Sequence, residues 1–224
     1  MPFPIAILAS GNGTNAQAMI DKMQAGLLDI SIVLIASNNP KAGVLERAQK
    51  AGIAHLVLDH HDFTSRESYD QALLKSVLAH NAQAVVLAGY MRLLSSSFLS
   101  QFPGHVLNLH PAILPSFPGL HGARDAMDYG VKITGATVHF VNEIMDNGPV
   151  VIQAAVPIKD GEDEEALLTR IHAMEHRIYP QAVQWLATHR LHLEGRKVVL
   201  TDTGRPKAEI PPEAMIWPPL EAGF

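Results

Sequence analysis

Short apolar runs and helical patterns take turns along the first half of the chain. Phe3–Ala9 and Ile30–Ala36 are near-continuous apolar runs, the second rich in Ile and Val, as strands buried on both faces require. Asn15–Met23 and Lys41–Ala51 carry helical spacing, the latter ended by Gly52. Ala54–Leu58 predicts a third strand. Ser65–His80 predicts a long helix with an apolar face of Leu73, Leu74, Val77 and Leu78, and Thr64-Ser65-Arg66-Glu67 fits a capping box at its start. Ala84–Leu87 and Val106–Leu109 read as the fourth and fifth strands. Strand and helix in regular alternation predict a parallel, helix-covered sheet with right-handed crossovers.

The pattern then changes. Thr134–Val141 alternates through Thr134, Ala136, Val138 and Phe140, as an antiparallel or half-buried strand does. Asp146-Asn147-Gly148-Pro149 is turn punctuation, and Val150–Val156 reads as the next strand. Asp163–Leu186 predicts a long helix, with Asp163, Glu164 and Glu165 at the end where the helix dipole favours acids. Pro180 within it is expected to kink or divide the helix. Pro206, Pro211, Pro212, Pro218 and Pro219 predict an irregular tail. The expected fold is α/β and three-layered: a mostly parallel twisted sheet, Rossmann-like in the N-terminal half, with antiparallel additions in the C-terminal half. With no repeat and no flexible linker, 1–224 reads as a single domain, with halves of about 1–105 and 106–205 and a tail of 206–224.

Composition narrows the function. Apolar residues make up 47% and charged residues 17%, enough for a packed core. The net charge of -5 argues against a nucleic-acid-binding surface. The absence of Cys excludes disulfides, thiolate metal sites and cysteine nucleophiles. Met1-Pro2-Phe3-Pro4 has no basic leader, and the longest apolar stretches, Ile30–Ala36 and Ala84–Gly89, fall far short of the ~20 residues that span a bilayer. A cytoplasmic protein without a membrane partner is expected. Because the chain has 12 His, a lone His carries little weight.

Three stretches could carry chemistry. Ser10-Gly11-Asn12-Gly13-Thr14-Asn15 follows a strand and opens a helix. Gly11, Gly13 and Ala16 match a dinucleotide fingerprint, but that site wants an acid about 20 residues on. Strand two ends instead in Ser37-Asn38-Asn39-Pro40. A phosphate cradle is favoured over a bare tight turn, because glycines admit the backbone and free amides at a helix start attract anions. In Leu107-Asn108-Leu109-His110-Pro111, Asn108 and His110 share one face of a strand end. An amide donor beside an imidazole suits acyl transfer, with Asn holding an oxyanion and His moving a proton. Two hydrogen-bonded residues closing a strand would leave the same pattern. Asp146 is either a plain turn residue before Asn147-Gly148 or a carboxylate that pairs with His110 and keeps it protonated, and a turn can do both. Three prolines between Pro111 and Pro118 predict a cis bond at Leu114-Pro115.

These motifs and others fall in a telling order. Ser10 to Asn15 comes first, then Ala88-Gly89-Tyr90-Met91-Arg92-Leu93-Leu94, then Asn108-Leu109-His110-Pro111 with Leu114-Pro115. Pro118-Gly119-Leu120-His121, His139-Phe140-Val141 with Asp146 to Pro149, and Glu175-His176-Arg177-Ile178-Tyr179-Pro180 follow. In this combination the chain closely resembles the glycinamide ribonucleotide transformylases, folate-dependent formyltransferases of purine synthesis, over roughly residues 5 to 205. Asn-x-His-Pro with Leu-Pro is shared by the wider formyl-transfer family. The stretch Gly122-Ala123 is smaller and less polar than in some relatives.

The resemblance implies roles. Asn108, His110 and Asp146 match the catalytic trio, and Gly13, Thr14 and Asn15 the loop for the substrate phosphate. Glu175 matches a residue on the ribonucleotide side. Arg66, Met91, Arg92, Leu93, Leu94, Asn108, Asn142, Glu143, Ile144, Met145 and Asp146 match the folate cleft. The implied partners are glycinamide ribonucleotide and 10-formyltetrahydrofolate as co-substrate, with no metal and no metal-ligand cluster, in a monomer or weak homodimer. The implied reaction is direct attack of the glycinamide amine on the formyl carbon. Asn108 and a His110 kept charged by Asp146 stabilise the oxyanion, and His110 helps move the proton to N10. Alternatives are another user of 10-formyltetrahydrofolate, or a non-catalytic nucleotide- or folate-binding module. A tRNA-specific formyltransferase is expected to carry a further C-terminal domain, and a hydrolase a further N-terminal one. A binding module could dispense with the trio.

Overall fold

Near-continuous apolar runs become parallel strands in the computed structural model, which describes residues 1–224. The chain divides into two compact units, Met1–Asn108 and Leu109–Phe224. In chain order the first unit holds β1 (Phe3–Leu8), α1 (Thr14–Gln24), β2 (Ile30–Ser37), α2 (Gly43–Lys50) and β3 (His55–Val57). A 3-10 turn at His60–Asp62, α3 (Arg66–Ala79), β4 (Ala84–Leu87) and α4 (Ser96–Leu99) follow, and β5 (Val106–His110) begins there. The strands lie in the order β5-β4-β1-β2-β3, every pair parallel. Ile5, Ile7, Leu8, Leu34, Ile35, Val85 and Val86 are buried. A strand covered on both faces needs apolar residues at successive positions, which is why these runs do not alternate.

The register brings three strand ends to one edge. Leu8 pairs with Leu87, and Leu87 with Asn108. The loops leaving β1 and β4 therefore emerge beside Asn108, at the C-terminal edge where open α/β sheets bind ligands. The start of α3 differs from the expected cap. Ser65, not Thr64, is the N-cap, and its partner is Ser68, not Glu67. The helix begins one residue later than that pattern assumes, so the third helical position falls on Ser68. Ser65 Oγ accepts the Ser68 N–H at 3.1 Å, and Ser68 Oγ accepts the Ser65 N–H at 3.2 Å.

The second unit holds α5 (Gly122–Tyr129), β6 (Ile133–Phe140), β7 (Val150–Pro157), α6 (Glu164–Ala187), β8 (Leu191–Glu194), β9 (Lys197–Leu200) and β10 (Met215–Trp217). β6 and β7 form an antiparallel hairpin, β10 lies antiparallel on β7, and β8 and β9 make a separate hairpin. The expected α/β fold with antiparallel additions is therefore what the chain adopts.

Two expectations are corrected in part here. Pro180 does not divide α6, which runs 24 residues with Asp163 as its N-cap. A proline inside a helix costs ~3 kcal/mol. Ile178, Tyr179, Val183, Trp185 and Leu186 are all buried, and each large buried side chain contributes about 1.5–3 kcal/mol, so packing wins. The tail is also not wholly irregular. It supplies β10, and Glu221 is buried in an ion pair with Arg190 at 2.7 Å while accepting from Trp185 Nε1 at 3.1 Å. The peptide bond before Pro115 is cis as expected, and that before Pro218 is cis as well. No helix is long and apolar enough to cross a membrane.

Candidate active site

β5 ends on Asn108, Leu109 and His110, so the side chains of Asn108 and His110 project from the same face, two residues apart. Asn108 is half-buried and His110 buried. His110 Nε2 donates to the Phe117 carbonyl at 2.7 Å, and Nδ1 lies 3.5 Å from Asp146 Oδ2. Both ring nitrogens thus face acceptors. The turn after β5 folds back because Phe117 adopts φ 55, in the left-handed region. Gly122 leaves room for the ring, since a Cβ there would stand 3.0 Å from His110 Nε2 and 3.2 Å from the Phe117 carbonyl oxygen.

Asp146 lies between β6 and β7 with φ 52, in the left-handed region that Asp tolerates better than most residues. Its Oδ2 accepts the Gly119 N–H at 2.8 Å, and its Oδ1 lies 3.7 Å from His139 Nε2. Burial pushes this carboxyl upward. The His139 ring, the Gly119 amide and the charges on His110 and His139 outweigh it and hold the carboxyl below its ordinary value. Asp146 is therefore ionised at neutral pH. Asn142, Glu143, Ile144 and Met145 beside it are exposed. Asn142 Oδ1 accepts the Ile144 N–H at 3.1 Å, and Arg196 donates to the Asn147 carbonyl at 3.0 Å and to Asn147 Oδ1 at 2.7 Å.

In the first unit the glycine loop joins β1 to α1. Gly13 is the N-cap at φ 76 and gives no side-chain cap. A Cβ there would lie 2.5 Å from Val44 Cγ2 and 3.0 Å from Val44 Cα, so α2 excludes any side chain. Arg47 on α2 braces the loop, donating to the Asn12 carbonyl at 2.8 Å and to Asn12 Oδ1 at 3.1 Å. Gly13, Thr14 and Asn15 are half-buried at the positive end of an 11-residue helix, which suits an anion. The end of β2, where a dinucleotide site would place its acid, holds the loop instead. Asn38 Oδ1 accepts from Ser10 Oγ at 2.5 Å, and Asn39 Nδ2 donates to the Ser10 carbonyl at 3.2 Å.

Ser10 also joins this loop to the one after β4. Its N–H donates to the Gly89 carbonyl at 3.0 Å, and its Oγ accepts the Met91 N–H at 2.8 Å. Arg66, the first residue of α3, donates to the Leu94 carbonyl at 2.6 Å. Asp70 accepts the Ser95 N–H at 2.5 Å, and the Tyr69 and Tyr90 hydroxyls meet at 2.7 Å. Burial pushes both hydroxyls up, so they stay neutral. The Arg92 guanidinium stands 4.7 Å from the centre of the Tyr69 ring. Met91 and Leu93 are exposed, while Leu94 is buried. The first unit thus brings together Arg66, Met91, Arg92, Leu93 and Leu94, and the second brings together His110, Asp146 and the Asn142–Met145 loop. Glu175 is buried on α6, one turn beyond exposed His172.

A comparison with protein families matches residues 4–183 to the Formyl transferase family. This chain belongs to that family. The formyl transferases it resembles include the phosphoribosylglycinamide formyltransferase of Escherichia coli (strain K12), 42% identical over 189 residues, covering 84% of this chain and 89% of that protein. The solved glycinamide ribonucleotide transformylase 1 from Symbiobacterium toebii superposes with a TM-score of 0.88 at 44% identity, over 89% of this chain and 94% of that one. The trifunctional purine biosynthetic protein adenosine-3 of Drosophila pseudoobscura pseudoobscura is 46% identical over 84% of this chain, and the match spans 14% of that longer protein.

For a formyl transferase, several supporting residues escape a reading of motifs. Ser10 sits inside the glycine motif, but its partners Asn38, Gly89 and Met91 are remote in sequence. His139 belongs to a recognised motif without an assigned partner. Arg196 acts on Asn147 from 49 residues away, and nothing local marks it. The Gly119 amide and the Phe117 carbonyl are backbone groups, whose positions depend on the turn and not on side-chain identity.

Proposed function

We propose that this chain transfers the formyl group of 10-formyltetrahydrofolate to the amine of glycinamide ribonucleotide, in the cytoplasm and without a nucleic-acid or membrane partner. The observation that carries this reading is the ionised Asp146 carboxylate 3.5 Å from His110, on the strand end that also bears Asn108. The amine lone pair attacks the formyl carbon, forming a C–N bond as the carbonyl π pair moves to oxygen. The Asn108 amide N–H donates to that oxyanion, and protonated His110, stabilised by Asp146, adds a second donor once its Nε2 proton leaves the Phe117 carbonyl. The oxyanion then collapses, the carbon–N10 bond breaks, and the proton shed by the amine ends on N10. The start of α1, where Gly13 offers no side-chain cap and Thr14 and Asn15 follow, suits the ribonucleotide phosphate, with Glu175 on the ribonucleotide side. Arg66 and the segment Met91–Leu94, with exposed apolar Met91 and Leu93, suit the folate, as does the Asn142–Asp146 loop. The test is an assay of both substrates with the folate product and the formylated ribonucleotide quantified together. Stoichiometric formation of both supports the reading. Folate product released at the same rate without ribonucleotide would show hydrolysis and overturn it.

A further inference from the structure

The turn between β3 and α3 holds none of the residues placed in the formyl-transfer site, and it gathers Asp59, His60 and His61. We propose that these three side chains form a site for a borderline divalent cation of the zinc class.

Their ligand atoms all lie within 4.8 Å of one another. Asp59 Oδ1 is the hub, 2.7 Å from His61 Nδ1 and 3.7 Å from His60 Nδ1. The backbone sets this arrangement, since Asp59 Oδ1 also accepts the His61 N–H at 3.0 Å. The two imidazoles lean together, with ring centres 3.9 Å apart at 37°. A second observation points to a ligand. His60 Nδ1 is shielded from solvent and makes no hydrogen bond, and a shielded polar atom left in that state costs about 1–3 kcal/mol. A cation coordinated at Nδ1 removes that cost.

The spacing suits zinc. Bonds of about 2.0–2.2 Å in a tetrahedron place ligand atoms about 3.3–3.5 Å apart. The observed 2.7 and 3.7 Å bracket that value, and the third pair lies within 4.8 Å, so modest side-chain shifts complete the set. Two imidazoles with one carboxylate favour zinc, nickel or copper over magnesium or calcium, which prefer oxygen ligands. The same turn leads to Phe63, edge-on to Tyr69 at 5.3 Å, and then to Arg66. Metal binding would therefore stiffen the approach to α3. No step of the formyl transfer requires it.

The test is calorimetric titration of the untagged chain with zinc chloride, for the native protein and for His60→Ala, His61→Ala and His172→Ala. His172 controls for the other close imidazole pair, His172 with His176. One site is expected, weakened about tenfold or more by loss of either ligand imidazole and unchanged by His172→Ala. Zinc should raise the Tm of the native chain and not that of His61→Ala. Melting curves without metal confirm that the variants fold. Equal zinc affinity in native, His60→Ala and His61→Ala proteins, or no heat of binding up to millimolar zinc, would overturn the proposal.

Discussion

Replacing Asp146 with Asn separates the charge of this side chain from its shape. Asn keeps the volume, tolerates φ 52, and retains an oxygen for the Gly119 amide now held at 2.8 Å. What it removes is the negative charge 3.5 Å from His110 Nδ1 and 3.7 Å from His139 Nε2. At an effective dielectric of ~20, a carboxylate and an imidazolium 3.5 Å apart attract by about 5 kcal/mol. Fully expressed in the barrier, that is about 3.5 powers of ten in rate. The amide dipole and entering water recover part of it, so kcat should fall about 10²–10³-fold. KM for the ribonucleotide should stay within about threefold, because in the proposed mechanism Asp146 acts through the charge of His110 and not on ribonucleotide binding in the ground state.

Steady-state formyl transfer, with each substrate varied in turn, reads both constants. A kcat loss below about tenfold would refute the electrostatic role and return Asp146 to an ordinary turn residue. Stability supplies a second readout with a definite sign. The folded carboxyl of Asp146 lies below its unfolded value of ~3.9. Its stabilisation is therefore complete above that pH and lost as pH falls through the lower folded value. The gap in stability between the native chain and Asp146→Asn should be widest above about pH 5 and narrow toward pH 2–3. A gap independent of pH across that range would mean that the carboxylate charge is not what the fold uses.

Asn108→Ala should lower kcat about 10²–10³-fold, as loss of one oxyanion donor does, with ribonucleotide binding by calorimetry nearly unchanged. A wholly intact kcat would make Asn108 a strand-closing residue. Gly13→Ala combines φ 76 with a Cβ 2.5 Å from Val44 Cγ2. It should cost about 2–4 kcal/mol of stability in a thermal or denaturant melt, and an unchanged melt would contradict the close packing of α2 on the loop. Arg196→Ala removes two hydrogen bonds to Asn147. It should raise the folate KM about three- to tenfold with kcat little changed, and an unaltered folate KM would detach Arg196 from the loop.

What the sequence revealed and what it hid divide by the range of the interaction. β1, β2 and β4 were legible because a strand buried on both faces carries its own signature, and Asn108 and His110 because they sit two apart on one strand. Other features depend on partners far along the chain. The β8–β9 hairpin that delivers Arg196 alternates only weakly, with Leu191 to Glu194 and Lys197 to Leu200 largely exposed or half-buried. α5 starts at a glycine, a poor helix former that gives no cap signal. β10 is three residues among prolines and exists because β7 offers it an edge. The expected division at Pro180 did not occur for the same reason, since its local penalty was visible and the packing around it was not.

His110 shows why motif and mechanism are not the same thing. The motif supplies an imidazole at a strand end, and the turn decides what that imidazole can do. With Nε2 donating to Phe117 and Nδ1 facing Asp146, the ring is pinned at both ends before any substrate arrives. Pinning fixes its orientation at no cost during the reaction, which is how preorganised donors gain their effect. It also means that a reacting oxygen must compete with the Phe117 carbonyl for the Nε2 proton. A neutral carbonyl is the weaker acceptor, because a developing oxyanion is charged and charge-assisted hydrogen bonds are roughly twice as strong. In the proposed reaction the exchange is about even for a neutral ground-state formyl oxygen and favourable for the tetrahedral intermediate, so the Phe117 contact would favour a His110 that acts on the transition state more than on the bound substrate. Gly122 bears on this contact, because a Cβ there, 3.0 Å from Nε2 and 3.2 Å from the Phe117 oxygen, would press on the ring and on its acceptor together and force them to give by a few tenths of an ångström.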